Sequence, residues 1–196
     1  MSHIYIENEI ISAAESEAFI EVMEQGISEK KTHYNESRKR HTLRFGHDDI
    51  YPAYRIGDLK ILDPVKDTLQ SIFDKFLSVI KEYYGEDDLK ITSFFISKHE
   101  VGGQMRPHVD SNYDGTGQNQ HLDFTAMVYL NDMGRTGTLS FPVLGKRISP
   151  KAGQLVVFDS KDPQNAHVVD EASRNRYALA IWATRKKAKG YHFYLP

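Results

Sequence analysis

A chain of 196 residues lies within the range of a single domain, and 25 Lys and Arg against 27 Asp and Glu leave a formal net charge of -2, so no global field draws it to nucleic acid or to an anionic membrane. With no cysteine, the sequence excludes disulfides, thiolate zinc sites and cysteine nucleophiles together, as suits a reducing cytoplasm. The amino terminus lacks a basic region followed by an apolar run, and no stretch approaches the roughly 20 apolar residues of a membrane span, so the expectation is a soluble cytoplasmic protein without membrane contact.

Ile4-Tyr5-Ile6 is a short alternating start that suits an edge strand. Ser12-Ala13-Ala14-Glu15 has the form of a capping box opening a helix; Phe19, Ile20, Val22 and Met23 follow, and Gly26 can end it. Residues 28–54 are the least regular of the chain. They carry the basic cluster Arg38-Lys39-Arg40-His41, then Leu43 and Phe45 alternating with polar residues, then Gly46-His47-Asp48-Asp49. One strand between long loops is the expectation, with the segment a candidate lid or substrate loop.

Asp63-Pro64 marks the next helix, with Asp as N-cap and Pro at the first helical position. Val65, Leu69, Ile72, Phe73, Phe76, Ile80 and Tyr83 recur at helical spacing until Gly85 closes the element. So one-sided a helix is expected across the outside of a sheet. From Leu89 onward short strands alternate with turn residues: 91–97, 104–110, 122–130, 138–141, 154–158, 167–169 and 177–183. No helical period intervenes, which disfavours a parallel doubly wound sheet. The expected organisation is one domain over residues 1–196, with a helical part to about residue 88 and a rolled antiparallel β core over about 89–184.

Side chains alternate along a strand, so a His-x-Asp pair presents both groups to one side and can grip a metal ion there. The pattern occurs three times, at His47-Asp48-Asp49, His108-Val109-Asp110 and His121-Leu122-Asp123. His47, between Gly46 and an acidic pair, reads as a solvated turn. His121 and Asp123 enter an apolar run that reads as the middle of a sheet, whereas His108 and Asp110 finish a strand and lead into the polar stretch 111–120. Sites on rolled sheets sit at strand ends under loops, so position favours His108 and Asp110 and leaves the other pair open. His167 can complete a set of two imidazoles and one carboxylate. That set leaves three positions of an octahedral ion open, the geometry of non-heme Fe(II) oxygenases.

Taken singly, His167 reads as a satisfied histidine and Arg176 as a surface ion-pair partner. The tail Arg176-Tyr177-Ala178-Leu179-Ala180-Ile181-Trp182 changes that. It is apolar on both faces, so it is buried on both, and its leading arginine then points into the fold and needs an anion. A dicarboxylate would satisfy it through the planar guanidinium fork.

His108-Val109-Asp110, His167, Arg176, Tyr129-Leu130-Asn131, Gly137-Thr138-Leu139-Ser140-Phe141 and Pro150-Lys151-Ala152-Gly153-Gln154-Leu155-Val156-Val157-Phe158 follow one another as in the Fe(II)/2-oxoglutarate-dependent dioxygenases. The chain resembles the prolyl 4-hydroxylase type of that superfamily over nearly its whole length. The resemblance implies a mainly β fold with flanking helices (α+β), a double-stranded β-helix or jelly roll. It implies that His108, Asp110 and His167 are the iron ligands, in preference to His121 and Asp123. It also implies that Arg176 binds the distal carboxylate of 2-oxoglutarate with Tyr129 as a hydrogen-bond partner. Where many relatives carry a tyrosine nine residues before the first ligand this chain has His99, a candidate contact to the same cosubstrate.

The implied reaction is hydroxylation of a C–H bond, first of a proline in a protein or peptide, using Fe(II), 2-oxoglutarate and dioxygen, with ascorbate as a further candidate cofactor. No catalytic side chain beyond the metal centre is expected. The nucleic-acid demethylase branch usually has a second arginine where this chain has Trp182, which points away from nucleic acid. Arg38-Lys39-Arg40 and the Phe45-Gly46 region keep that branch in play, while Arg185-Lys186-Lys187-Ala188-Lys189 reads as a solvated tail. The remaining alternatives are a free amino acid as substrate, or a non-catalytic metal-binding β-roll with no use for Arg176.

Overall fold

A computed structural model describes residues 4–46, 59–111 and 122–185. Its framework is two antiparallel sheets. The larger is formed by β1 (Ile4–Glu7), β2 (His33–Asn35), β3 (Arg40–Gly46), β4 (Leu89–His99), β6 (Phe124–Tyr129), β9 (Leu155–Asp159) and β11 (Arg176–Arg185), in the order β1-β9-β6-β11-β4-β3-β2. The smaller consists of β5 (Met105–His108), β7 (Leu139–Phe141), β8 (Lys146–Ile148) and β10 (His167–Val169), in the order β5-β10-β7-β8. The result is a double-stranded β-helix.

Alternation assigns the two faces of the larger sheet. Leu43, Phe45, Phe94, Ile96, Leu179 and Ile181 pack outward against α1 (Ala13–Ser28) and α2 (Lys66–Val79). Tyr129, Val156, Phe158 and Ala178 pack inward against Leu139, Phe141 and Val169 of the smaller sheet. A helix layer and a second sheet therefore bury the strands on both sides, which is why the tail from Arg176 to Trp182 has no polar face.

The edge strand at Ile4 and the capping box are as expected: Ser12 Oγ accepts from the Glu15 amide at 3.2 Å, and Glu15 Oε2 accepts from the Ser12 amide at 2.7 Å. Two helix ends differ from the expectation. α1 continues past Gly26 to Ser28, because Gly26 serves packing: a Cβ there would stand 3.2 Å from Leu43 Cδ2. Asp63 is not the N-cap of α2, since Leu59–Val65 is a 3-10 turn with Pro64 inside it and Val65 caps the helix without a side-chain bond. Gly85, at φ +75°, does end the helical segment after the π turn Ile80–Tyr84.

Residues 28–46 are more regular than expected. β2 and β3 form a hairpin, and β3 pairs with β4 along its whole length. Residues 47–58, which include His47, lie outside the described residues, as do 112–121 and 186–196. β8 is a strand absent from the sequence-based set. No helix among the described residues is long and apolar enough to cross a membrane.

Candidate active site

Pairing of β10 with β5 sets His167 directly opposite His108, and the two rings stand 4.3 Å apart between centroids. β5 ends at His108, so Asp110 belongs to the bend that follows it rather than to the strand. The bend returns the carboxylate to the imidazoles. Asp110 Oδ1 lies 3.6 Å from His108 Nε2 and 3.8 Å from His167 Nε2, and one ligating atom from each of the three residues falls within 4.8 Å of the others.

The neighbours prepare this set for a cation. His108 Nδ1 donates to the Arg106 carbonyl at 2.8 Å and His167 Nδ1 donates to the Asn165 carbonyl at 3.0 Å. A carbonyl can only accept, so each proton is fixed on Nδ1 and each Nε2 offers its lone pair toward Asp110. Asp110 Oδ2 accepts from Thr125 Oγ1 at 2.6 Å and from Trp182 Nε1 at 3.4 Å, which leaves Oδ1 for the centre. Burial works to raise the Asp110 pKa, but His167, His108 and these two donors hold the carboxyl below its usual range. Burial, reinforced by His167, pushes His108 down. A charged carboxylate beside a neutral imidazole is the protonation state that metal binding requires.

The triad lines a cavity along the inner face of the larger sheet, together with His99, Met127, Arg176 and Trp182 among others. Arg176 is 1% exposed. Its Nε donates to the Gly137 carbonyl at 3.0 Å, and its guanidinium lies 5.1 Å from the centroid of the Tyr129 ring. Gly137 has φ +58°, and a Cβ there would come within 3.1 Å of Arg176 Cδ, so glycine permits the close approach. Among the described residues, Arg176 Nη2, the Tyr129 hydroxyl and both ring nitrogens of His99 are buried without a hydrogen-bond partner. Burial pushes the Arg176 guanidinium down, with the neighbouring Tyr129 hydroxyl opposing. Burial, followed by the charges of Arg176, Arg40 and Arg38, pushes His99 well below the usual imidazole range. Orphaned buried donors beside an uncompensated cation describe a place for an anion.

The structure thus gathers His108, Asp110, His167, Arg176, His99 and Tyr129 on one side of the larger sheet. Asp123, the other described member of the competing His-x-Asp pair, is taken up elsewhere. It is 3% exposed, accepts from the Arg185 amide at 2.8 Å and from Arg185 Nη1 at 2.5 Å, and pairs with Lys161, so it ties β11 to the loop after β9. His121 lies outside the described residues. Sequence reasoning missed two contributors. Thr125 is marked only by its alternation with Met127 and Tyr129, and Arg40 is read only as one member of the basic cluster Arg38-Lys39-Arg40-His41, although β3 alternation sets it on the face away from Leu43 and Phe45.

An arrangement of this kind belongs to the class of β-rolls that present a few ligands to one face of a metal ion and keep the other face for small molecules. Comparison narrows the class: residues 94–184 match the model of the 2OG-Fe(II) oxygenase superfamily. A match to that model implies Fe(II), 2-oxoglutarate and dioxygen.

Among solved structures the chain is similar to a Trichoplax adhaerens prolyl hydroxylase in complex with a hypoxia inducible factor oxygen degradation domain peptide fragment, at TM-score 0.73 and 19% identity over 95% of this chain and 86% of that one. It is similar to a Pseudomonas putida prolyl-4-hydroxylase at TM-score 0.68 and 21% identity, covering 94% and 93% of the two chains. It is also similar to a viral collagen prolyl hydroxylase from Paramecium Bursaria Chlorella virus-1 in its 2OG complex, at TM-score 0.66 and 15% identity over 95% and 97%. At these identities the likeness is one of fold. No curated protein sequence matches the chain.

Proposed function

We propose that this protein is an Fe(II)- and 2-oxoglutarate-dependent dioxygenase that hydroxylates a peptidyl proline, with His108, Asp110 and His167 as the metal ligands. The observation that carries the reading is the pairing, in one cavity, of two imidazole Nε2 atoms aimed at a carboxylate with a buried arginine whose Nη2 has no partner. Metal ligands alone would suit a scaffold. The arginine suits a dicarboxylate.

When bound, the iron with 2-oxoglutarate and dioxygen supplies the oxidising chemistry, in which the 2-oxo acid gives succinate and carbon dioxide and one oxygen atom enters the C–H bond. The chain supplies geometry. Thr125 and Trp182 hold Asp110 Oδ2 and so direct Oδ1 toward the metal position, while Phe141 and Phe158 pack against His167, at 5.7 and 5.0 Å between centroids, and keep water from its ring. Arg176 takes the distal carboxylate of 2-oxoglutarate, with the Tyr129 hydroxyl and His99 as the further polar groups within reach of it. Trp182 and Phe95, 5.0 Å apart, form an apolar wall beside the ligands against which a pyrrolidine ring fits.

The solved relatives favour a proline in a peptide, since all three are prolyl hydroxylases and one holds a peptide fragment. Residues 1–196 act as one unit in this reading, with α1 and α2 backing the sheet that carries Arg176 and His99. The test is Fe(II)-dependent succinate formation from 2-oxoglutarate with a proline peptide library. Substrate-stimulated succinate, with a mass gain of one oxygen on proline, is expected for the wild type and not for His108→Ala. Stimulation by no proline peptide overturns the prolyl reading, and failure to bind 2-oxoglutarate at all overturns the oxygenase.

A further inference from the structure

Of the basic cluster Arg38-Lys39-Arg40-His41, two members turn outward: Lys39 Nζ donates to the Val101 carbonyl at 3.5 Å, and His41 pairs with Glu100 at 3.4 Å. Arg40 turns inward and lines the same cavity as the triad, although it is only 6% exposed. Register places it across from His99, whose other neighbour is Arg176, so Arg176, His99 and Arg40 form a row on one face of β11, β4 and β3. Two strand spacings put the Cα atoms of the two arginines about 10 Å apart.

Arg40 Nη1 contacts Met105 Sδ at 3.2 Å, a weak acceptor, and Nε has no partner. Its guanidinium stands 5.3 Å from the centroid of Phe95, and that of Arg44 stands at the same distance. Burial, then the charges of Arg38, Arg44 and Arg176, push Arg40 down, with Asp110 opposing. Asp110 is committed to the imidazoles, so among the described residues Arg40 is a buried cation without a counter-ion of its own. One 2-oxoglutarate does not supply it: the proximal carboxylate belongs at the metal, and the distal one at Arg176, under Gly137 at the far end of the row. Arg40 instead touches Phe95, which packs on Trp182, whose Nε1 reaches Asp110. That chain of contacts runs to the metal position.

We infer that Arg40 is a specificity-determining residue that binds a carboxylate of the substrate, so that the target carbon lies beside an acidic group. The inference rests on the reading of the cavity as an oxygenase site. A carboxylate from an acidic side chain of a peptide and one from a free amino acid share this chemistry, and substrate pairs separate them.

The pairs are a peptide with Asp or Asn next to proline, the same peptides with leucine for proline, and free L-proline or its amide. Binding of 2-oxoglutarate is read separately with Mn(II) in place of Fe(II), from the fluorescence of Trp182, the single tryptophan of the chain. In the wild type KM for the acid of the preferred pair is expected to be at least about ten-fold below that for the amide. In Arg40→Gln that preference should collapse to less than about two-fold while the half-saturation of 2-oxoglutarate holds, and Arg40→Lys should restore part of it. The inference is overturned if the wild type shows no acid preference, if the preference survives in Arg40→Gln, or if Arg40→Gln weakens 2-oxoglutarate instead. Acid preference confined to the leucine pair keeps Arg40 and retires the proline reading; proline turnover without acid preference does the reverse. If no pair is turned over, binding of 2-oxoglutarate decides the oxygenase reading, and acid-selective quenching of Trp182 decides the role of Arg40.

Discussion

Thr125→Val keeps the shape of β6 and deletes one hydroxyl. Thr125 is fully buried, so no water takes the place of Oγ1, which donates to Asp110 Oδ2 at 2.6 Å. The second donor to that oxygen, Trp182 Nε1, stands back at 3.4 Å and holds the carboxylate only weakly. A hydrogen bond to a charged group contributes about 1.5–3 kcal/mol, which corresponds to about 10- to 150-fold in metal affinity if the carboxylate loses its orientation. That range overlaps the roughly 10- to 100-fold that follows loss of an outer partner of a metal ligand. Ser160 Oγ, 2.6 Å from Thr125 Oγ1, loses its acceptor as well, so the fold weakens by about 1–3 kcal/mol. Anaerobic Fe(II) titration well below the unfolding midpoint, with thermal melts alongside, separates the two effects. Thr125→Ser should restore both. A metal affinity within about two-fold of wild type in a folded Thr125→Val protein would refute the reasoning.

Arg176→Met removes a buried charge and the fork that would hold a carboxylate. Calorimetry with Mn(II) should find 2-oxoglutarate weakened by at least about a hundred-fold, from two charge-assisted bonds of about 1.5–3 kcal/mol each, with metal binding retained; unchanged affinity would remove Arg176 from the site. Asp123→Asn, by contrast, should lower stability by about 1–3 kcal/mol in urea unfolding by loosening Arg185 and Lys161, yet leave Fe(II) affinity intact. Asp170 gives the acid limb of stability. Burial works to raise its pKa, but Thr138, Ser140 at 3.0 Å and Arg147 at 2.8 Å hold it below the usual carboxylate range. A lowered folded pKa means that this stabilisation is present above the unfolded value of about 3.8 and is lost as pH falls through the folded one, so Asp170→Asn should flatten the unfolding free energy over that window.

What the sequence made legible was periodicity. The two-sided tail after Arg176 announced a strand buried on both faces, and an inward arginine followed from it. Local chemistry also read true at the Ser12 capping box and at Gly85. It misled at Gly26, where the glycine answers to Leu43 across the core, and at Asp63-Pro64, where a 3-10 turn absorbs the proline before α2 begins. Both are long-range decisions. The same divide runs through the site. His-x-Asp patterns could be ranked by position along strands, but the pairing of β5 with β10 that sets His108 against His167 is a property of the fold. Arg40 and Thr125 escaped for that reason: each is ordinary in its own strand and acquires a role only from the strand beside it.

The most direct measurement is a crystal structure grown with Mn(II) and 2-oxoglutarate, with anomalous scattering to place the metal. The expected result is one strong peak bounded by His108 Nε2, His167 Nε2 and Asp110 Oδ1, with the distal carboxylate of 2-oxoglutarate on Arg176. A peak at His121 and Asp123, or a ligand that leaves the Arg176 guanidinium untouched, would contradict the assignment.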